Sequence, residues 1–232
     1  NFRIMKHNFK HPLMKNNISS EDFSNLRSFL KKEPILTNHI ECKKFEIEWS
    51  KWLGVKYSVF VNSGSSANFV SMLIMNHLYP KGGEIIVPPL TWVSDIVSVI
   101  KNNFKPVFVD INPLTLSLDT KKTIAAITKN TKGIFITHCQ GFNGLTDELL
   151  TYLKKKKIAL IEDVCESHGA FHKKRKCGSF GLMSNFSYYY AHHMTTIEGG
   201  MISTNDKNIY DLARMFRGHG LVRELENSNL KN

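Results

Sequence analysis

Cysteine is scarce and scattered in this chain of 232 residues, which has four thiols, at Cys42, Cys139, Cys165 and Cys177. None of the spacings between them is that of a zinc site or of a disulfide framework. The pattern excludes a small secreted scaffold held by disulfides. Free thiols are typical of a reducing compartment, so we expect a cytoplasmic protein.

Long apolar runs are also missing. No stretch approaches the roughly 18 apolar residues that a transmembrane helix needs. The first residues lack the hydrophobic segment of a signal peptide. The chain starts at Asn1 without a methionine and stops in a polar tail, 226–232. We therefore expect a piece of a longer protein that does not span a membrane.

Acidic residues are few, since 20 Asp and Glu face 31 Lys and Arg, for a net charge of +11. The lysines are spread along the chain, and the clusters at 154–157 and 173–176 adjoin predicted elements, which is typical of solvated faces. No nucleic-acid motif accompanies the charge, so no nucleic-acid partner is expected. A basic RNA-binding protein remains the alternative, and affinity lost in moderate salt without base preference would be its mark.

Two helices are predicted before any strand. Residues 19–22 resemble a helix start and Pro34 a stop, while a second helix runs from near Asn38 to Gly54. We assign residues 1–55 to an N-terminal helical segment. Residues 56–232 are assigned to a ligand-binding domain.

Short apolar strands alternate with helices over the rest of the chain. This pattern is typical of an α/β fold whose mostly parallel sheet is buried on both faces. In such sheets ligands bind beyond the carboxyl ends of the strands. The predicted strands are 57–61, 84–87, 105–109, 133–137, 158–162, 185–190 and 201–204. The predicted helices are 66–78, 91–101, 119–126 and 146–156.

The loop after the first strand carries small residues, including Gly64, Ser65 and Ser66, and opens a helix. Outward-pointing amides at a helix N-terminus favour an anion, so this loop is a candidate phosphate site. An ordinary helix cap is the alternative. The loop lacks the lysine of a Walker motif, which argues against nucleoside triphosphate hydrolysis.

Trp92 and Asp163 follow two other strands. A tryptophan at the mouth of a sheet is either a core residue or a plate on which a flat cofactor stacks. A carboxylate at the end of a buried strand needs a partner, such as a protonated ring nitrogen. A helix cap is the alternative for Asp163.

The segment 187–200 places adjacent histidines, His192 and His193, on a loop before a Glu-Gly-Gly turn. This is a loop that presents imidazoles beside flexible backbone. A strand–turn–strand hairpin with two solvated histidines fits the same residues. Because neighbouring side chains in extended backbone point apart, His193 is the weaker candidate for a substrate contact.

Six motifs occur in a specific order: Ser-Gly-Ser-Ser-Ala, Pro-Leu-Thr-Trp, Phe-Val-Asp-Ile, Glu-Asp-x-x-Glu-x-His-Gly-Ala, Cys-Gly-Ser-Phe-Gly and the segment 187–200. From about residue 18 to about residue 224, the chain resembles the nucleotide-sugar aminotransferases (DegT/DnrJ/EryC1/StrS family). These are pyridoxal-phosphate enzymes of the aspartate-aminotransferase fold (fold type I). The resemblance implies a large domain of this fold, a C-terminal small domain that is missing here, and a homodimer.

The resemblance also implies roles for single residues. The cofactor phosphate would be held by the amides of the loop at Gly64 and by Ser65, Ser66 and Ser187. Trp92 would stack on the pyridine ring, and Asp163 would pair with the protonated ring nitrogen. Glu166, where relatives often carry glutamine, would lie near the ring hydroxyl.

Relatives carry a lysine that binds the cofactor covalently, and His192 occupies that position here. Imidazole cannot form that bond, but it moves protons near neutral pH. The substitution resembles the 3-dehydratase branch, which acts on nucleotide-linked 4-keto-6-deoxyhexoses with glutamate as amino donor, in deoxysugar and lipopolysaccharide O-antigen synthesis. It implies His192 as acid and base, and His219 and Arg223 near the sugar. A basic helix C-terminus capped by Gly220 is the alternative for those two.

Other functions stay open at this stage. A nucleotide-sugar aminotransferase would need a lysine at the cofactor, and a non-catalytic cofactor-binding protein would not use His192. A second dehydratase type acts on a CDP-linked sugar with an iron–sulfur cluster, but Arg223 and Leu225 stand where it has cysteines. Cys165 alone gives too few ligands, so no iron–sulfur cluster and no metal is expected. The guanine or cytosine base of the substrate is left open.

Overall fold

The computed structural model describes residues 18–222 and Leu225. The chain divides into two compact units, the first ending at Thr37 and the second beginning at Asn38. In the first unit, α1 (Ser20–Leu30) begins with a capping box. The Ser19 hydroxyl accepts a hydrogen bond from the Asp22 N–H, and the Asp22 carboxylate accepts one from the Ser19 N–H. The predicted helix start is therefore confirmed.

The second unit holds the other described elements. Its helices are α2 (Ile40–Leu53), α3 (Gly64–Leu78), α4 (Val93–Lys101), α5 (Thr120–Ala126), α6 (Asp147–Lys156) and α7 (Lys207–Arg217). Its strands are β1 (Tyr57–Val61), β2 (Gly83–Val87), β3 (Phe104–Phe108), β4 (Ile111–Asn112), β5 (Ser117–Leu118), β6 (Thr131–Thr137), β7 (Ala159–Asp163), β8 (Phe171–His172), β9 (Arg175–Lys176), β10 (Met183–Ser187) and β11 (Gly200–Thr204).

One seven-stranded sheet forms the centre of this unit, in the order β1-β11-β10-β7-β6-β2-β3. The neighbours from β10 to β3 pair in parallel, and β11 runs antiparallel to both β10 and β1. Six strands therefore point the same way and β11 points back. The predicted α/β fold with a mostly parallel sheet is confirmed.

The sheet is covered on both faces because successive apolar side chains of its strands point to opposite sides. Ile85 lies in a cluster with side chains of α3, α4 and α7. Ile86, the next residue, lies in a second cluster with side chains of α6. A third cluster places Trp49 of α2 against Phe186 and Tyr188 at the end of β10. Burial on both faces explains why the strands read as continuous apolar runs.

Some predicted boundaries are corrected. The strand predicted at 185–190 ends at Ser187, and the chain turns from Tyr190 onward. The helix α7 and the short hairpins β4–β5 and β8–β9 were not in the predicted set. Helix α2 belongs to the unit that holds the sheet. As a division of the protein into domains, the boundary at residue 55 stays a prediction.

A buried ion pair ties α2 to β1 and α7. Glu46 Oε1 accepts hydrogen bonds from the Phe60 N–H (2.8 Å) and from Arg217 Nη1 (2.7 Å). Arg217 Nη1 also donates to the Phe60 carbonyl at 3.1 Å. The Glu46 and Arg217 side chains are only 11% and 15% exposed. Water therefore screens this pair little, and each partner depends on the other.

We expect Glu46→Gln to lower the free energy of unfolding by about 2 kcal/mol, because it removes a charge-assisted hydrogen bond and leaves Arg217 unpaired. Glu48→Gln is the matched control, since Glu48 pairs with Lys51 on the surface, with side chains 69% and 67% exposed. That change is expected to cost less than about 1 kcal/mol. Urea unfolding of both variants measures the difference, and equal losses would contradict the structural role of Glu46.

Candidate active site

The loops that carry the predicted site residues meet at one edge of the sheet. β1, β2, β6, β7 and β10 all end at this edge, since they point the same way. The antiparallel strand β11 begins there, directly after the histidine loop. The topology therefore brings together residues that lie more than 120 positions apart in the chain.

The N-terminus of α3 is the candidate phosphate site, and its cap is Ser63. The Ser63 hydroxyl accepts a hydrogen bond from the Ser66 N–H at 3.0 Å. The amides of Gly64 and Ser65 come before that bond, at the open end of the helix. The Ser65 side chain is exposed and that of Ser66 half-buried. Capping and anion binding are thus compatible here, because they use different amides.

Gly64 is packed tightly against the end of β10. A Cβ added to Gly64 would lie 2.6 Å from Ser187 Cβ, 3.0 Å from Cys165 Sγ and 3.2 Å from Ser187 Oγ. The first turn of α3 can approach β10 this closely only because residue 64 has no side chain. The Ser187 hydroxyl consequently lies beside the open amides of α3. The contact with a phosphate that the resemblance implies for it stays a prediction.

Trp92 lies at the same edge, just before α4, and its side chain is 66% exposed. The core alternative for this tryptophan is therefore excluded. An exposed indole at the mouth of a sheet has a free face on which a flat ring can stack. Stacking remains a prediction.

Asp163 is the last residue of β7, and no helix follows it, so the helix-cap alternative does not apply. Its Oδ1 accepts a hydrogen bond from the Cys165 N–H at 2.9 Å. Asn68 Nδ2 lies 3.4 Å from its Oδ2 and 2.5 Å from Oδ1 of Asp95, a second buried carboxyl group. Within the described part of the chain, no lysine, arginine or histidine pairs with either aspartate. The pair is a buried acidic site that a cationic group would complete.

Glu166 is half-buried and reaches the 3-10 turn that follows β6, Cys139–Gly141. Its Oε2 accepts a hydrogen bond from the Gln140 N–H at 3.0 Å. Burial, followed by the charge of Glu166, raises the pKa of the Cys139 thiol. Glu166 thus holds the turn after β6 against the loop after β7.

The histidine loop follows β10 and is folded into bends rather than extended. The His192 N–H donates to the Tyr189 carbonyl at 2.9 Å, and the Thr196 N–H donates to the Tyr188 carbonyl at 3.0 Å. His192 is half-buried. Burial lowers its pKa, and the charges of Glu166 and Asp163 oppose that shift. The loop therefore brings His192 within electrostatic range of both carboxylates.

The His168 ring packs against the two histidines of this loop. Its ring centroid lies 5.4 Å from that of His193 and 6.3 Å from that of His192. It packs against Trp49 and Phe186 on its other side. Burial, and then the neighbouring imidazoles, lower the pKa of His168 to about 3. His168 is therefore a neutral, fixed ring on which the loop rests.

The remaining substrate candidates are less closely associated with the site. His193 is exposed, and its ring turns toward His168 instead of away from His192, since the backbone is bent. His219 is exposed on the turn after α7, where the Gly220 N–H donates to the Met215 carbonyl. Arg223 lies outside the described residues. The sugar contacts of all three remain predictions.

Residues of the site that the sequence analysis did not single out are Ser63, Asn68, Asp95 and His168. Two of them carried a signal, since His168 lies within a motif of the resemblance and Asp95 interrupts an apolar stretch just after Trp92. Ser63 precedes a helix, which is the ordinary place of a cap. Asn68 has no local signal, because its partners come from α4 and β7.

A cleft of about 620 Å³ borders Ser65 and Ser66 from the side of α7 and contains Arg217. Asp163, Trp92 and His192 do not line it, so it is separate from the acidic pair. In residues 18–222 and Leu225, no cluster of three or more His, Cys, Asp or Glu side chains is arranged to hold a metal ion. No described helix has the length and apolarity to cross a membrane.

Comparison with known proteins identifies the class to which this fold and site belong. The family model of the DegT/DnrJ/EryC1/StrS aminotransferase family matches residues 16–231. The chain belongs to this family. The resemblance seen in the sequence is therefore confirmed.

Two similar curated proteins have a GDP-linked sugar in their names. GDP-4-keto-6-deoxy-D-mannose 3-dehydratase of Escherichia coli O55:H7 is 37% identical over 191 residues, which cover 81% of this chain and 49% of that protein. GDP-perosamine synthase of Caulobacter vibrioides is 35% identical over 178 residues, which cover 77% of this chain and 47% of the relative. The chain spans about half the length of these relatives.

Among solved structures, GDP-4-keto-6-deoxy-D-mannose-3-dehydratase of E. coli with bound hydrated PLP is similar at a TM-score of 0.90 and 33% identity. The match covers 96% of this chain and 58% of the other. The predicted aspartate-aminotransferase-like fold is thus confirmed over the part that is shared.

Proposed function

We propose that the protein is a 3-dehydratase that uses pyridoxal or pyridoxamine 5′-phosphate and removes the C3 hydroxyl of a nucleotide-linked 4-keto-6-deoxyhexose. The observation that carries this proposal is the position of His192. By the sequence resemblance, His192 stands where the family has its cofactor lysine, and its imidazole lies within electrostatic range of Glu166 and Asp163. Similarity to the E. coli 3-dehydratase supports the same reaction.

The residues at the edge of the sheet fit this cofactor. Two buried carboxyl groups, Asp95 and Asp163, have no cationic partner among the described residues, and a protonated pyridine nitrogen supplies one. The open amides of α3 fit a phosphate. Because Gly64 has no side chain, the start of α3 packs directly against Ser187. The Ser187 hydroxyl and the amides of α3 can therefore contact the same phosphate.

Each residue then has one task. Gly64, Ser65, Ser66 and Ser187 would hold the phosphate, Trp92 would cover the ring, and Glu166 would face the ring hydroxyl. Asp163 would hold the ring nitrogen in its protonated form. When bound, the cofactor supplies an amine for the 4-keto carbon and a ring that accepts electrons.

His192 would move the protons. Its neutral imidazole would take up a proton at C4′ of the bound cofactor and would later give a proton to the departing C3 hydroxyl. The lowered pKa keeps His192 in the accepting form at neutral pH, while the opposing charges of Glu166 and Asp163 preserve its basicity. One group can thus serve as base and acid in turn.

Glutamate is proposed as the amino donor and a nucleotide sugar as the substrate. One similar solved 3-dehydratase contains bound GDP-perosamine, and another contains a trapped adduct of PLP and glutamate. The basic charge of the chain suits a diphosphate-linked substrate. A cytoplasmic homodimer remains part of the proposal.

The test incubates the intact protein with pyridoxal phosphate, glutamate and GDP-4-keto-6-deoxy-D-mannose, followed by mass analysis of the sugar and an assay for free ammonia. We expect a 3-deoxy sugar and release of ammonia. An amino sugar without ammonia would instead make the protein an aminotransferase. A CDP-linked 4-keto-6-deoxyhexose in parallel distinguishes the base. Failure with both sugars while cofactor binds would replace the proposal with the non-catalytic alternative.

A further inference from the structure

Asp95 is a buried carboxyl group beside Asp163 to which the reaction assigns no role. It lies in the first turn of α4, whereas Asp163 ends β7. Their exposed fractions are 1% and 3%. A second carboxyl group in so dry a place is costly unless its charge is balanced or suppressed.

The contacts of Asn68 place both carboxyl groups around one amide nitrogen. The Ser71 hydroxyl donates to Asn185 Oδ1 at 2.7 Å, so the Asn185 amide nitrogen faces Asn68 and donates to its Oδ1 at 2.9 Å. The Asn68 amide nitrogen must then face the aspartates. It lies 2.5 Å from Asp95 Oδ1 and 3.4 Å from Asp163 Oδ2.

The Asn68 amide nitrogen offers too few hydrogens to satisfy two carboxylates. Asn68 Nδ2 has two hydrogens but three acceptors within 3.4 Å, since Ser94 Oγ also lies 3.0 Å away. No cation among the described residues pairs with either aspartate. Two like charges in such a place do not ionise together, so the pair retains one proton.

The neighbours assign that proton to Asp95. Asp163 accepts a backbone hydrogen bond from Cys165, which favours a carboxylate. Asp95 Oδ2 accepts hydrogen bonds from the hydroxyls of Thr91 (2.5 Å) and Thr137 (3.2 Å), so a proton on Asp95 lies on Oδ1, the oxygen beside Asn68. Burial, followed by the charge of Asp163, raises the pKa of Asp95 well above its usual range. The other titratable groups that face Asp95 are Asp163 and the Cys165 thiol.

We propose that Asp95 is a positioning residue, a neutral carboxylic acid that donates a hydrogen bond to the Asp163 carboxylate and fixes it toward the ring nitrogen of the cofactor. The cofactor part rests on the proposed function. A carboxylate that already accepts this bond is a weaker base, so a proton on the ring nitrogen stays there. The site would therefore need both aspartates in different protonation states.

The first test needs no cofactor and follows the melting temperature of the intact apoprotein and of Asp95→Asn from pH 5 to pH 8. A group with a raised pKa in the folded state stabilises fully below its unfolded pKa, about 3.9, and loses that contribution as pH rises. Asparagine mimics the neutral acid and has no such loss. We expect the melting temperature of Asp95→Asn to rise relative to that of the wild type as pH increases, by up to about 3 °C per pH unit while Asp95 keeps its proton in the folded state. A difference independent of pH would overturn the proposal.

The second test measures the affinity for pyridoxamine 5′-phosphate by absorbance titration at pH 7. Asp95→Asn keeps a neutral donor and should bind within about threefold of the wild type, whereas Asp95→Ala loses one hydrogen bond to a charged group and should bind about tenfold more weakly. A strong loss in Asp95→Asn would mean that Asp95 acts as an anion and would overturn the proposal.

Asp163→Asn separates this proposal from the proposed function. We expect it to weaken binding more than either Asp95 variant. Unchanged affinity in Asp163→Asn would contradict the cofactor site itself, whatever the melting temperatures show. The pH dependence of stability tests the shared proton independently.

Discussion

His192→Asn is expected to lower the rate of sugar dehydration by about 10³-fold, the size of a lost general acid and base. Asparagine keeps a polar side chain of similar reach but cannot exchange a proton at neutral pH. The half-buried position of His192 on the bent loop supports the same loop conformation in the variant. Turnover of the nucleotide sugar by the intact protein measures the rate. The absorbance of bound cofactor should remain.

His77→Asn is the matched control, since it makes the same chemical change at an exposed residue in the last turn of α3, away from the histidine loop. That variant should keep the wild-type rate. His193→Asn decides between the neighbouring imidazoles. A 10³-fold loss in His193→Asn, with His192→Asn active, would refute the assignment of the proton-transfer role.

The rate should also depend on pH in a defined direction. Burial lowers the pKa of His192 from its ordinary value, about 6.5, against the opposing charges of Glu166 and Asp163. The proton-accepting form therefore persists to lower pH than in a free imidazole. The acidic limb of the rate profile is expected below pH 6.5, and it should be absent from the residual activity of His192→Asn.

Much of the fold could be predicted because most strands are buried on both faces. Short apolar runs such as β6 and β7 differ clearly from the helical periodicity of α6 between them. Strand direction could not be predicted, since β11 is antiparallel only through its pairing with β1 and β10, over 100 and 10 residues away. Tyr188 reads as a continuation of β10 and donates one backbone bond to Gly199, but its ring packs in the cluster with Trp49, which is a tertiary effect.

The candidate site likewise contains features that the local sequence predicts and features that depend on the tertiary fold. Trp92, Asp163 and His192 end or follow strands, so the local sequence places them at one edge of the sheet, whereas their roles stay predictions. The protonation of Asp95 depends on Asn68 and Asp163, which are 27 and 68 positions away, and no local pattern encodes that geometry. Positions were predictable, whereas hydrogen-bond partners were not.

Gly200→Ala is expected to destabilise the protein by about 3 kcal/mol, which corresponds to a fall of roughly 6–12 °C in melting temperature. Gly200 begins β11 and pairs with Val61 on one side and Ser187 on the other. A Cβ there would lie 2.2 Å from the Ser63 carbonyl oxygen, 2.4 Å from its carbon and 2.8 Å from the Gly64 nitrogen. All three are backbone atoms, so no side-chain rotation relieves the contact.

The clash falls on the cap of α3, and we expect its relief to displace the start of that helix. Gly200→Ala should therefore also weaken phosphate binding, read as a lower affinity for pyridoxamine 5′-phosphate. Gly54→Ala is the control, because Gly54 has φ +84° and nothing within 4 Å of an added Cβ. Gly54→Ala is expected to cost only the strain of a left-handed backbone conformation, about 1 kcal/mol. It should leave the affinity for pyridoxamine 5′-phosphate unchanged. Equal losses of stability in the two variants would mean that β11 shifts freely and that the α3 cap is not held by Gly200.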